Sequence, residues 1–198
     1  MPRFHVDTTL ARALKQLLEQ LEGRLSLERP LPVWLAGGMA VHLYTRSRVT
    51  TDVDAEFGAR VLPPSDLVVE ATLEDGTTQA LYLDTNYNPT FALLHEDYQD
   101  EALPLDFGLP NIRLFVLSPV DLAVSKIARF ADIDRDDICE LVRHGLTTAD
   151  EIEARAMAAL PGFVGGLGML RINIEQAVAL ARTAQAGSDK STTGSVGR

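Results

Sequence analysis

The sequence predicts an α/β (α+β) protein in which a mixed sheet is flanked by helices and followed by a helical C-terminal part. Three observations predict it. A leucine face at three- and four-residue steps opens the chain. Short apolar or alternating runs, punctuated by glycine and proline, fill the middle. From Ser118 onward, capping residues and helical spacing take over. The expected organisation is a core over residues 1–117, a helical part over 118–186 and a disordered tail over 187–198. At 198 residues, a chain buries roughly 70% of its unfolded surface and needs no disulfide or structural metal.

Leu10, Leu14, Leu17, Leu18, Leu21 and Leu25 form one face of the first helix. Asp7, Thr8 or Thr9 can cap it, and Gly23 stands near its end. Glu28 to Pro32 reads as a connector, because neither proline continues a helix. Val33-Trp34-Leu35-Ala36 reads as a buried strand stopping at Gly37-Gly38, and Met39 to Arg46 as a helix. After a polar loop, Asp52-Val53-Asp54-Ala55-Glu56-Phe57 alternates acid and apolar residues. A period of two predicts one strand with all three acids on one face. Leu67–Leu73 and Thr77–Leu83 flank Asp75-Gly76 as a hairpin, whose second arm leads to Asp84. Residues 85–111 carry little pattern, and Ile112–Leu117 is a further strand.

Ser118-Pro119-Val120-Asp121 supplies a cap, a proline at the first helical position and an acid at the third. That helix is expected to run to about Phe130. Asp132–His144 is a second helix, stopped by Gly145. Thr148 to Glu151 is a capping box opening a third helix to about Leu160. Leu170–Thr183 is the last. From Gly187 the chain is polar and small, hence the expected disorder.

Charge and cysteine content exclude several classes. Eighteen Lys and Arg against 28 Asp and Glu leave a net charge of −10. That argues against a broad basic face for sequence-independent nucleic-acid binding. A single cysteine, Cys139, excludes a disulfide framework and a Cys-based zinc site. It reads as a small buried apolar residue, and a reducing cytoplasm is the expected location. No run approaches the ~20 apolar residues of a membrane span, and the first residues lack the apolar stretch of a signal peptide.

The chemistry concentrates at one constellation. An apolar strand leads to Gly37-Gly38 and a helix start, and Asp52-Val53-Asp54 begins fourteen positions after Gly38. Glycines let backbone N–H groups approach a phosphate, and a helix N-terminus favours negative charge. Carboxylates at i and i+2 of a strand point the same way and can grip a hard cation such as Mg²⁺. Taken alone, Gly-Gly is more often a turn, and Asp-x-Asp a solvent-facing edge strand. Glu56 reads as a solvated neighbour.

Leu35-Ala36-Gly37-Gly38 followed by Asp52-Val53-Asp54 resembles the signature of the nucleotidyltransferase superfamily with the DNA polymerase β-like fold. Three segments sharpen it: Arg48-Val49-Thr50-Thr51-Asp52-Val53-Asp54, Leu117 to Lys126, and Asp134-Arg135-Asp136-Asp137-Ile138. They are similar to the nucleotidyltransferase-like proteins of domain of unknown function 6036 and to toxin nucleotidyltransferases of type IV abortive-infection systems. The resemblance covers roughly residues 30–145. It implies an enzyme that moves an NMP from an NTP to an RNA (tRNA) or protein acceptor, with Mg²⁺ as cofactor and an antitoxin as a further partner. It implies that Gly37 and Gly38 hold the nucleotide phosphates, together with Arg48. Asp52 and Asp54 would ligate Mg²⁺, with Asp84 as third carboxylate and Asp106 as the alternative. Lys126 would meet triphosphate charge, with Arg48 or Arg129 beside it. One departure stands out: many members have serine after the first glycine, where this chain has Gly38. The competing reading is a non-catalytic nucleotide- or partner-binding relative.

Other groups have plainer readings. Asp132, Asp134, Asp136 and Asp137 read as a solvated helix start rather than a metal cluster. His95-Glu96-Asp97 lacks a second histidine at ligand spacing. Asn86-Tyr87-Asn88 reads as loop capping, and Trp34 as core packing. A lone Lys126 could equally be a surface lysine.

Overall fold

A computed structural model describes residues 2–64, 66–73 and 75–193. It is a mixed α/β structure with two compact units. One holds the chain up to Tyr87 together with Gln99–Leu117, and the other holds Asn88–Tyr98 together with the chain from Ser118 onward.

The first unit begins with α1 (Thr9–Arg24). The Thr8 hydroxyl caps it by accepting from the Ala11 N–H. Its buried face is Leu10, Leu14, Leu17, Leu18 and Leu21, and Leu25 stands just past its end. Among the described residues, seven strands form two sheets. The first sheet has the order β3-β1-β7-β6, formed by Ala55–Phe57, Leu31–Leu35, Ile112–Val116 and Leu103–Leu105 respectively. The second has the order β2-β5-β4, formed by Asp52–Val53, Thr78–Leu83 and Val68–Thr72. Helix α1 lies against β4 and β5.

β1 starts at Leu31, two residues before the strand expected from the sequence, and so includes Pro32. Pairing with β3 begins only at Val33. Pro32 contributes its carbonyl to the Gly58 N–H, and its missing donor falls outside that ladder. β6 arises inside the stretch that carried little pattern. It is an edge strand, where Pro104 is tolerated.

The single strand expected over Asp52–Phe57 is corrected: it divides at Asp54. Asp52–Val53 pairs in parallel with β5, whereas Ala55–Phe57 pairs antiparallel with β1. The alternation of half-buried acid and buried apolar residue survives the division as far as Glu56. A period of two reports which side chains share a face. It carries no information on which neighbour each half of the segment will choose.

The hairpin β4–β5 forms as expected, with Val68 opposite Tyr82 and Thr72 opposite Thr78. The Asp75 carboxylate accepts from the Thr77 N–H and hydroxyl, and Gly76 takes a φ of +82°.

In the second unit, α3 (Pro119–Ser125) is capped by Ser118. It stops five residues short of Phe130, where Lys126 and Ile127 turn back onto Ala123 and Val124 through tighter hydrogen bonds. α4 (Asp132–Arg143) ends at Gly145, whose φ is +65°. α5 (Ala149–Ala159) opens on the Thr148–Glu151 capping box. α6 (Leu167–Thr193) begins before Leu170 and runs well past Thr183. The disorder expected from Gly187 is therefore corrected for residues 187–193, which are helical. The alanine-rich stretch before Gly187 propagates the helix across a residue that costs about 1 kcal/mol. Residues 194–198 lie outside the described residues.

α3 is tied to α5 by a buried fork. Arg155 Nε and its terminal nitrogen donate to the two Asp121 oxygens at 2.6 and 2.9 Å, and Ser118 Oγ donates to Oδ2 at 2.7 Å. Among the described residues, no helix is long and apolar enough to cross a membrane.

Candidate active site

The first unit places Asp52 and Asp54 by the start of α2 (Gly37–Thr45), a helix buried along its whole length. Burial on all sides explains its apolar sequence, Met39-Ala40-Val41 and Leu43-Tyr44. β1 delivers the chain to this start, and the Ala36 N–H donates to the Asp54 carbonyl at 2.9 Å. Gly37 has a φ of +61°. A Cβ on it would stand 1.6 Å from Asp54 Oδ2 and 2.6 Å from Cγ. The first glycine is thus required twice, by its backbone conformation and by the carboxylate lying on its Cα. A carboxylate in that position stands at the first residue of α2, the end of a helix where negative charge is favoured.

Gly38 is required for a different reason. A Cβ there would come within 2.9 Å of Thr50 Oγ1 and 3.3 Å of Arg48 Nε. The space freed by each glycine is taken by this chain's own side chains. Thr50 is buried and donates its hydroxyl to Asp52 Oδ1 at 2.5 Å, which orients that carboxylate. The loop carrying Arg48 and Thr50 is held at three points. Gln79 donates to the Thr50 carbonyl, Tyr82 N–H to the Thr51 carbonyl, and the His42 ring to the Arg48 carbonyl at 2.6 Å.

Register separates the two candidates for a third carboxylate. β2 pairs Asp52 with Tyr82 and Val53 with Leu83, and the Asp84 N–H donates to the Val53 carbonyl at 3.0 Å. Asp84 is therefore the strand neighbour of Asp54. Asp106 follows β6, which pairs Leu103 with Val116 and Leu105 with Leu114. It leaves the sheet at the end opposite Gly37, on an edge separated from β1 by β7. There its carboxylate accepts from the Gly108 N–H.

Lys126 and Arg129 lie in the second unit. Lys126 is buried, which corrects the surface reading, and its ammonium stands 2.8 Å from Asp137 Oδ2 and 4.0 Å from Asp134 Oδ1. Arg129 forks onto Asp134 at 2.7 and 2.8 Å. The solvated reading of the four aspartates is corrected for these two. Three residues apart on α4, Asp134 and Asp137 face inward, while Asp132 and Asp136 stay in solvent. Burial raises the Asp134 pKa. Hydrogen bonds from Arg129 and the Ala131 N–H outweigh it and hold the carboxyl below its ordinary range.

The remaining readings place easily. Cys139 is buried, and burial pushes its thiol pKa up. Trp34 is half-buried, stacks on Phe115 with ring centroids 5.8 Å apart, and donates to the Gln99 carbonyl. His95 Nδ1 accepts from the Asp97 N–H. Asn88 caps the short 3₁₀ turn Pro89–Phe91.

Sequence reasoning gave no role to His42, Thr50 or Gln79. A hydroxyl two residues before the first acid was the available signal for Thr50. His42 joins three segments. Its Nδ1–H donates to the Arg48 carbonyl, so Nε2 accepts the Thr8 hydroxyl at 2.7 Å. Thr8 in turn accepts from Ala11. Burial holds the His42 pKa below its ordinary 6.5, with His5 and Arg46 adding to the effect against the Arg48 carbonyl. A folded pKa below the unfolded one means that the unfolded chain binds the proton first. Stability is therefore complete above about pH 6.5 and declines as pH falls toward the lowered value. Urea midpoints at about pH 7.5 and 5.5 should differ more in the wild type than in His42→Gln. Equal differences would remove His42 from the acid sensitivity.

The donor set suits a hard cation. Mg²⁺ is usually held by one or two carboxylates, with waters and substrate phosphates completing the shell. Asp52 and Asp54 provide that minimum. Among the described residues, no three His, Cys, Asp or Glu side chains form a group ready to hold a metal by themselves. In the comparison with protein families, residues 12–161 match the model described as nucleotidyltransferase of unknown function (DUF6036). None of the curated proteins compared matches the chain.

Proposed function

Because the chain belongs to the nucleotidyltransferase family of unknown function DUF6036, we propose that it transfers an NMP from an NTP to an RNA or protein acceptor. The observation that carries this reading is the Asp54 carboxylate seated on Gly37 at the start of α2, with Asp52 two residues away. Asp52 and Asp54 would hold Mg²⁺, with Asp84 from the adjoining strand end. When bound, Mg²⁺ offsets charge on the attacking and leaving oxygens of the phosphoryl centre.

The chain's own residues do the positioning. Thr50 ties up one Asp52 oxygen and leaves the other for a ligand. The N-terminus of α2 favours the negative charge of phosphate oxygens. Arg48, whose guanidinium lies against Gly38, supplies positive charge there. Lys126, paired with Asp137, is assigned to holding the helical unit together rather than to the phosphates. A toxin role with an antitoxin partner extends the likeness of the Arg48–Asp54 and Asp134–Ile138 segments to the abortive-infection enzymes.

Labelling position tests the reaction. With Mg²⁺, α-labelled NTP should label an acceptor in a cell extract, whereas γ-labelled NTP should not, since the β- and γ-phosphates leave together. Asp54→Asn should abolish the labelling and also the Mg²⁺-dependent NTP binding measured by calorimetry. Transfer of the γ-label would assign a kinase reaction. NTP binding without transfer, in wild type and variant alike, would favour the non-catalytic binding module.

A further inference from the structure

We propose that the cleft beside Asp84 seats a nucleoside base, with the Tyr82 ring as its stacking surface. This rests on the nucleotidyltransferase reading and adds a subsite to it. Across the second sheet, Asp52, Tyr82 and Val68 are successive strand partners. They share one face, since Val53, Leu81, Leu83 and Val69 are buried on the other. That shared face is open: Tyr82 is 43% exposed and Val68 45%. Asp84, two residues after Tyr82, continues the same side of β5.

The open face borders a cleft of about 630 Å³, walled by Leu62, Pro64, Val68, Tyr82, Asp84 and Asn86. That volume lies in the range of small-molecule sites. Leu62 contributes to its wall while 80% exposed, an apolar surface that a flat ring would cover. The chemistry of the walls selects the ring type. Tyr82 offers a π-face, and the Asn86 amide offers both a donor and an acceptor to a heteroaromatic edge. Asp84 in the wall disfavours an anion inside the cleft. Phosphates are thereby left to the Gly37 side of the acids and the uncharged base to the Tyr82 side. The base belongs either to the NTP or to the nucleotide of an RNA acceptor, and both present the same ring.

Three probes with Mg²⁺ separate the possibilities: inorganic tripolyphosphate, an NTP, and a short single-stranded RNA. Tyr82→Ala should weaken binding of at least one base-bearing probe about tenfold or more and leave tripolyphosphate affinity unchanged. Tyr82→Phe should retain wild-type affinity. Loss for the NTP assigns the cleft to the nucleotide substrate, and loss for the RNA alone assigns it to the acceptor. Thermal melting of each variant checks the fold. Unchanged affinity for both base-bearing probes in Tyr82→Ala overturns this inference while leaving the proposed reaction standing. A wild-type protein that binds none of the three overturns both.

Discussion

Alanine at Gly37 should abolish Mg²⁺-dependent nucleotide binding and destabilise the first unit more than any other single glycine replacement. The left-handed backbone alone costs roughly 1–2 kcal/mol for a residue with a Cβ. The added carbon must also displace the Asp54 carboxylate, which would lie 1.6 Å away. That displacement pulls on the hydrogen bond between Ala36 and Asp54 and so on the pairing of β1 with β3. Gly76→Ala is the matched control. Gly76 also has a positive φ, but nothing stands within 4 Å of its Cβ position. Urea denaturation should place Gly76→Ala near the conformational cost alone and Gly37→Ala well beyond it. Equal losses, with nucleotide binding intact in Gly37→Ala, would show that the carboxylate does not occupy that seat.

Methionine at Lys126 should cost about 3–5 kcal/mol, the penalty for breaking a buried ion pair by removing one member. For a chain of this size, that lowers the melting temperature by roughly 6–20 °C. Asp134 retains Arg129, so the carboxylate that loses its ammonium contact is Asp137. Adding Asp137→Leu to Lys126→Met should restore much of the stability, since an apolar pair can replace a buried ion pair. The double variant also separates two roles. If it melts near wild type and binds NTP with wild-type affinity, the ammonium serves the fold. If it melts near wild type but has lost NTP affinity, Lys126 contacts phosphate. An unchanged melting temperature in the single variant would refute the buried pair itself.

The legible parts of the fold were those written in local pattern. The leucine face of α1, the Asp75-Gly76 turn, the Ser118 cap and the Thr148 capping box are each decided within a few residues. β6 was illegible because Leu103-Pro104-Leu105 has no propensity of its own and exists by pairing with β7. The division at Asp54 was illegible for the same reason, since partner choice is a tertiary matter. At the site, Gly37, Gly38, Asp52 and Asp54 stood out by type and spacing. The contact that unites them, carboxylate on glycine, did not, because it depends on the path between residues 38 and 52. Lys126 shows the converse. Its place in a recognisable segment suggested phosphate chemistry, while its surroundings, Asp134 and Asp137, come from one turn and the next of another helix.

The one-residue crossing at Asp54 has a mechanical consequence. β2 and β3 belong to different sheets yet are joined by that residue alone, whereas the other connections between the sheets are long. A register shift in either β2 or β3 is therefore passed to the other sheet through a single residue. The same residue accepts from the Ala36 N–H, one position before α2, so the crossing and the helix start are coupled through one hydrogen bond.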